Sequence, residues 1–208
     1  MKAFINKITN LLKNSRTLKR VMLTFRFQLL RKLDDQTITI FTETYFHNRD
    51  SLKELIELIP ERKKMVEVGS LAGFSTRLFS LYFDEVVSVD PYQPDYDAED
   101  LNSNRFRLSI ARDLFTIRFY DDPRVRQIRE SSKNAVGGFA DGELDFVYID
   151  AGHTYADVKE DIARWRSKVR KGGWMAGDDH DWPGVSKAVS EEFEDYKVVN
   201  DRWIAGIA

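Results

Sequence analysis

The 208-residue chain contains no cysteine. That absence excludes disulfide scaffolds, cysteine-ligated zinc, iron–sulfur clusters and cysteine nucleophiles together. Long apolar runs are missing too, since none reaches the roughly 18–20 residues that a bilayer-spanning helix needs. The opening residues 1–16 hold neither an unbroken apolar core nor a small-residue cleavage site, so the chain reads as soluble and cytoplasmic. At 24.3 kDa, with 42% hydrophobic and 32% charged residues, it has material for one domain with a short appendage. That proportion of apolar residues excludes a wholly disordered chain.

Acidic residues are absent from the first 33 positions, which carry nine Lys/Arg. The other 175 residues therefore hold 23 bases against 34 acids. So sharp a polarity suggests a basic arm (1–33) with one job and an acidic body (34–208) with another. An acidic surface repels phosphates, which argues against a nucleic-acid partner for the body. In the arm, Phe4, Ile5, Ile8, Leu11 and Leu12, then Leu18, Val21, Met22, Phe25 and Leu29, recur at helical spacing. The stripe suits packing on the body or a second subunit, making a homo-oligomer. It also suits peripheral contact with anionic lipid at the inner face of a membrane.

Residues 34–48 form a polar, Thr-rich connector, and a helix over 51–59 is expected to stop at Pro60. Beyond it, strand-like runs at 65–68, 86–89, 125–128, 144–149 and 174–176 alternate with helical patterns. Those patterns lie near 74–82, 104–120, 131–138 and 154–170. One more helix, 184–194, precedes strands at 196–199 and 203–207. Alternation of this kind implies parallel βαβ units with right-handed crossovers. The tight final pair has to be an antiparallel hairpin, because a parallel pair needs a long crossover. The expected architecture is a three-layer α/β sandwich around a seven-stranded, mostly parallel sheet with one reversed strand.

Other absences narrow the ligand. The first strand runs into Glu67-Val68-Gly69-Ser70-Leu71-Ala72-Gly73-Phe74-Ser75, a glycine turn opening a helix. It is not G-x-G-x-x-G, because Leu71 stands where the middle glycine would let a diphosphate approach, and no Gly-Lys-Ser/Thr follows. The turn therefore suits a nucleoside with one modest anionic group and no pyrophosphate. Asp90, closing the second strand, is placed to accept both hydroxyls of a ribose. Glu67, inside the turn, suits a cationic ligand.

On these residues the chain resembles the class I S-adenosylmethionine-dependent methyltransferases over about residues 50–208. Glu67–Gly73 looks like that family's first motif, Val89-Asp90-Pro91-Tyr92 its second, and Arg129-Glu130-Ser131-Ser132 the segment bordering the adenine. The resemblance implies S-adenosylmethionine as cofactor, with Gly69 and Gly73 along the methionine moiety. It also makes Glu67, Ser70 and Ser75 of the same turn cofactor-binding, and puts Asp90 on the ribose and Ser131 and Ser132 beside the adenine. Arg129-Glu130 departs from the family's usual Gly-Asp.

The fourth strand ends in Asp150-Ala151-Gly152-His153-Thr154-Tyr155, the fifth in Gly177-Asp178-Asp179-His180. Three carboxylates and two imidazoles are expected to converge there. Asp150, Asp178 and Asp179 would suit a hard cation such as Mg²⁺, which lowers the pKa of a bound hydroxyl. His153 titrates in the range of a general base, and its bland alternative is a helix cap. His180 reads as a ligand, a second base or a solvated loop residue. With Lys171-Gly172-Gly173 and Gly184-Val185, the region resembles sugar- and antibiotic-tailoring and catechol-type O-methyltransferases. That resemblance implies methylation of a hydroxylated small-molecule acceptor, with His153 and Asp150 catalytic and Asp150 also against the cofactor. The acceptor is expected under residues 37–46 and the acidic loop 95–100. A catalytically silent methyltransferase-like domain, docked through its basic arm, is the alternative.

Overall fold

The computed structural model describes residues 50–95 and 103–208; the basic arm, the Thr-rich connector and all of the acidic loop but Asp95 lie outside them. A helix over 50–57 (α1) leads into β1 (Lys64–Val68), α2 (Phe74–Phe79), β2 (Glu85–Val89), α3 (Arg105–Arg118) and β3 (Val125–Ile128). Then follow α4 (Ser132–Ala135) with a 3₁₀ turn, β4 (Leu144–Ile149), α5 (Tyr155–Arg166), β5 (Val169–Gly177) and α6 (Pro183–Glu192). The chain closes on the hairpin β6 (Lys197–Val199) and β7 (Arg202–Gly206). The sheet has seven strands in the order β3-β2-β1-β4-β5-β7-β6. Only β7 runs against its neighbours, as its antiparallel pairing with both β5 and β6 shows. This is the expected seven-stranded, mostly parallel sheet with one reversed strand, a Rossmann-like arrangement.

Alternation along the strands sorts side chains onto two faces. Val66, Val68, Val147 and Ile149 point to the side covered by α5 and α6, where Val158, Ile162, Trp165, Val185 and Val189 bury against them. Met65, Phe146 and Tyr148 point the other way, onto Leu52, Leu55 and Ile56 of α1 and Leu78 and Phe79 of α2. Buried on both faces, the central strands read as mostly apolar segments interrupted by single polar residues (Glu67, Ser88, Asp145), which made them legible.

The largest departure from the expected boundaries is at β5. The helical pattern read over 154–170 ends at Arg166, and β5 begins at Val169 rather than 174. Arg170-Lys171-Gly172-Gly173 hides the strand, being polar and glycine-rich. Pairing of Leu144 with Val169, and a register irregularity before Phe146, hold it in the sheet all the same. At Gly173 a Cβ would come within 2.9 Å of the Asp145 carbonyl, so the bulged backbone needs a glycine. Among the described residues no helix is long and apolar enough to cross a membrane.

Candidate active site

The strand order reverses between β1 and β4, and open α/β sheets bind ligands outside the carboxyl ends at such a point. A cavity of about 620 Å³ lies there, within the size range of small-molecule sites. Its wall is formed by Gly69, Ser70, Leu71 and Ser75 of the glycine turn, Asp90 after β2, and Ser131 and Ser132 after β3. Asp150 and His153 after β4, with Asp178 and Asp179 after β5, complete the set brought together from the sequence. Leu71 and Phe74 stand on the wall and leave the hollow open.

The turn is built by close approach. Gly69 adopts φ +82, and a Cβ there would sit 1.8 Å from the Asp150 carbonyl oxygen, so β1 and β4 can meet only around a glycine. Leu71 follows in the same left-handed region at φ 44. Asp90 fastens this turn. Its Oδ2 accepts from the backbone N–H groups of Ser70 (3.1 Å) and Leu71 (2.8 Å), and its Oδ1 from Tyr92 N (2.7 Å). Burial raises its pKa, and the three N–H groups pull against that rise. The carboxylate expected on a ribose is thus first of all the clasp of the turn, with one flank on the cavity.

Two turn residues face elsewhere. Gly73 is not on the cavity wall: a Cβ there would meet Phe119 at 2.5 Å and Phe115 at 2.7 Å, so this glycine serves helix packing. Glu67 is fully buried and also off the wall. Strand alternation turns it onto the α2 face, where the hydroxyls of Ser75 and Thr76 donate to it. Burial pushes its carboxyl up to about 7 against those hydrogen bonds. An acid whose folded pKa exceeds its unfolded one binds more protons when folded, so stability falls as pH rises from 4.5 to about 7. The loss from this group is about 3 kcal/mol. Glu67→Gln removes the charge; its Oε1 accepts from one hydroxyl and its Nε2 donates to the other. We expect it to raise the urea midpoint at pH 8 and change it little at pH 4.5; an equal shift at both pH values would deny the buried charge.

At the other end of the cavity His153 lies on the loop before α5. Thr154 caps that helix, its Oγ1 accepting from Asp157 N at 3.2 Å, so His153 is not the cap. His153 Nε2 is 3.0 Å from Asp179 Oδ2. The ring stacks on Trp182 at 4.6 Å between centroids. Trp182 precedes α6, and Gly184 lets that helix press on the loop: a Cβ there would meet the His153 carbonyl oxygen at 2.6 Å. Asp179 holds φ 58, a conformation that Asp tolerates better than most residues. His180 does not join the cavity. Its Nε2 lies 3.3 Å from the Tyr196 hydroxyl, and burial lowers its pKa.

Asp178 meets a residue that the sequence reading missed. Arg202, opening β7, is 1% exposed, and its Nη2 donates to Asp178 Oδ2 at 3.2 Å. Its other donors reach the Tyr148 hydroxyl (3.1 Å), Ser51 Oγ on α1 (2.5 Å) and Asp201 Oδ1 (2.8 Å). An arginine leading into the apolar run Trp203-Ile204-Ala205 was the available signal, because a buried guanidinium needs partners. Even beside it, burial and the Asp179 charge hold Asp178 up at about 6. Asp150 is raised well above the carboxylate range by burial and by both β5 aspartates. Asp178 Oδ1 is buried without a hydrogen-bond partner. This end of the site carries more negative charge than Arg202 neutralises, and a cationic ligand fits it.

The expected metal triad is not assembled in this arrangement. Among the described residues no three His, Asp or Glu side chains stand as a metal-holding group. Asp178 is turned to Arg202 and Asp179 to His153.

A family model described as a methyltransferase domain matches residues 66–180. Among curated proteins, y4gI of Sinorhizobium fredii is 26% identical over 113 residues, 51% of this chain; the match spans only 12% of that protein's length. The O-methyltransferase NovP superposes with a TM-score of 0.54 at 20% identity, over 78% of each chain. A Staphylococcus aureus protein assigned as a caffeoyl-CoA O-methyltransferase gives 0.56 at 15% identity, over 88% of this chain and 97% of its own. Likeness at such identities speaks for the fold.

Proposed function

The chain belongs to the methyltransferase-domain family, and from that premise we propose that this S-adenosylmethionine-dependent enzyme methylates a hydroxyl group of a small molecule, with His153 as general base. The observation that carries the reading is His153 on the cavity wall, held by Asp179 at 3.0 Å and by the Trp182 ring. A hydroxyl must shed its proton as it is methylated, and a positioned imidazole is the group suited to take it near neutral pH.

When bound, S-adenosylmethionine supplies a methyl group on a cationic sulfur. Asp150, Asp178 and Asp179 are crowded and buried, so a cation relieves their mutual repulsion, and the Asp90-fastened turn suits the nucleoside, with Ser131 and Ser132 beyond it. Leu52, Leu78 and Trp182 supply the apolar wall that keeps water from the reacting atoms. Holding acceptor and methyl in line is worth about 7–11 kcal/mol in such reactions.

Calorimetry with S-adenosylhomocysteine, followed by methyl transfer to a panel of hydroxylated acceptors, tests the reading. Stoichiometric binding with His153-dependent transfer is expected. Binding without transfer to any acceptor favours the silent, docking domain instead. In the same assay Asp90→Ala should weaken S-adenosylhomocysteine by about tenfold or more, through a loosened turn and a lost charged acceptor. Unchanged affinity would take Asp90 out of the cofactor site.

A second reading adds a divalent cation, and the unpartnered Asp178 Oδ1, with the crowded carboxyl of Asp150 on the same wall, favours it. Asp150, Asp178 and Asp179 would hold such an ion, which as a Lewis acid would ease loss of the acceptor's proton. It requires Asp178 and Asp179 to leave Arg202 and His153. Activity that survives EDTA rejects it, and activity lost to EDTA and restored by Mg²⁺ establishes it.

A further inference from the structure

Where the cavity runs beneath α5, three acidic side chains reach its wall: Asp157, Glu160 and Asp161. Two already have partners. The Asp157 carboxylate takes the Thr154 hydroxyl at 2.5 Å, and Glu160 pairs with Arg164 one turn on. Asp161 is held differently. Its Oδ1 accepts from the Ser132 hydroxyl, and Ser132 Oγ in turn accepts from Trp165 Nε1 at 2.8 Å. An indole nitrogen can only donate, so the chain has one polarity: Trp165 gives to Ser132, and Ser132 gives to Asp161. That order fixes Asp161 as an acceptor at a set position. Among the described residues no donor is seen on its Oδ2.

Sheet order says which part of a ligand would lie there. Asp90 closes β2, the β3 end carries Ser131 and Ser132, and the reactive side chains follow β4 and β5 on the other side of β1. A nucleoside with its sugar by Asp90 and its reactive end by His153 therefore puts its base beside Ser132 and Asp161. Glu130, the acid nearest β3 in sequence, is exposed and off the cavity wall.

Resting on the reading that the cavity takes an adenosyl cofactor, we propose that Asp161 reads its base, the free carboxylate oxygen accepting the exocyclic N–H of adenine. An ionised carboxylate accepts and never donates, so it favours a 6-amino purine over a 6-oxo one. A buried polar group left without its partner is what makes such discrimination large. Trp165 and Ser132 act as positioning residues.

The test is calorimetry on the full chain with S-adenosylhomocysteine and S-inosylhomocysteine, which differ by that amino group. Wild type should prefer the adenosyl form by about tenfold or more, as for a lost hydrogen bond to a charged group. Asp161→Asn, which can donate to a 6-oxo group, should bring the two within about threefold of each other, with circular dichroism reporting its fold. Equal affinities in wild type overturn the proposal without recourse to any variant, as does full preference retained by a folded Asp161→Asn. Binding of neither nucleoside by wild type overturns the cofactor reading along with it.

Discussion

His153→Ala is expected to lower methyl transfer by about 10²–10⁴-fold while leaving the affinity for S-adenosylhomocysteine unchanged. The size follows from the acceptor's chemistry. A hydroxyl oxygen is a poor nucleophile until its proton leaves, and the described part of the cavity offers one imidazole to take it, since His180 lies elsewhere against Tyr196. Asp179→Asn should cut the rate by less, because the ring keeps its stack on Trp182 and loses only the carboxylate that orients it. Single-turnover rates at saturating acceptor, beside calorimetry, separate the base from mere packing. A His153→Ala enzyme with wild-type turnover would remove the base and with it the reading of oxygen as the acceptor atom.

Arg202→Met should be the most destabilising single change in the site, by about 3–5 kcal/mol, read from urea unfolding. The substitution leaves the Asp178 carboxylate buried without its cation and strips a donor from both Tyr148 and Ser51. The guanidinium also ties α1 to the floor of the cavity, so the loss should loosen the wall that Leu52 supplies. Adding Asp178→Asn should recover part of the stability, since the orphaned charge goes with it; the double variant is expected to unfold later than Arg202→Met alone. Strict additivity of the two changes would mean that the pair does not interact.

How much of this was legible beforehand depends on range along the chain. Strands β1, β2 and β4 were readable because each is a short, mostly apolar segment buried on both faces, and 125–128 and 144–149 match β3 and β4 residue for residue, although β3 is polar at its centre and only partly buried. The start of β5 was not, because its identity comes from pairing with β4 while its composition is that of a turn. In the site, the aspartates and His153 were visible as polar residues at strand ends. Arg202 was not, being 24 residues from Asp178 and 151 from Ser51. Glu67 and Gly73 were visible in the motif but not in their direction, which strand alternation and the aromatic face of α3 decide.

By itself, then, the order of residues determined the alternating α/β class, the reversed last strand and a glycine turn after β1 without the dinucleotide fingerprint, all of which follow from local periodicity and backbone freedom. The tertiary structure decided which charges meet: Asp90 as clasp, Asp178 with Arg202, Asp179 with His153, Asp161 with Ser132. Electrostatic partnership acts through space in a medium from which water has been excluded, and no spacing along a chain encodes it until the sheet has brought the strand ends together.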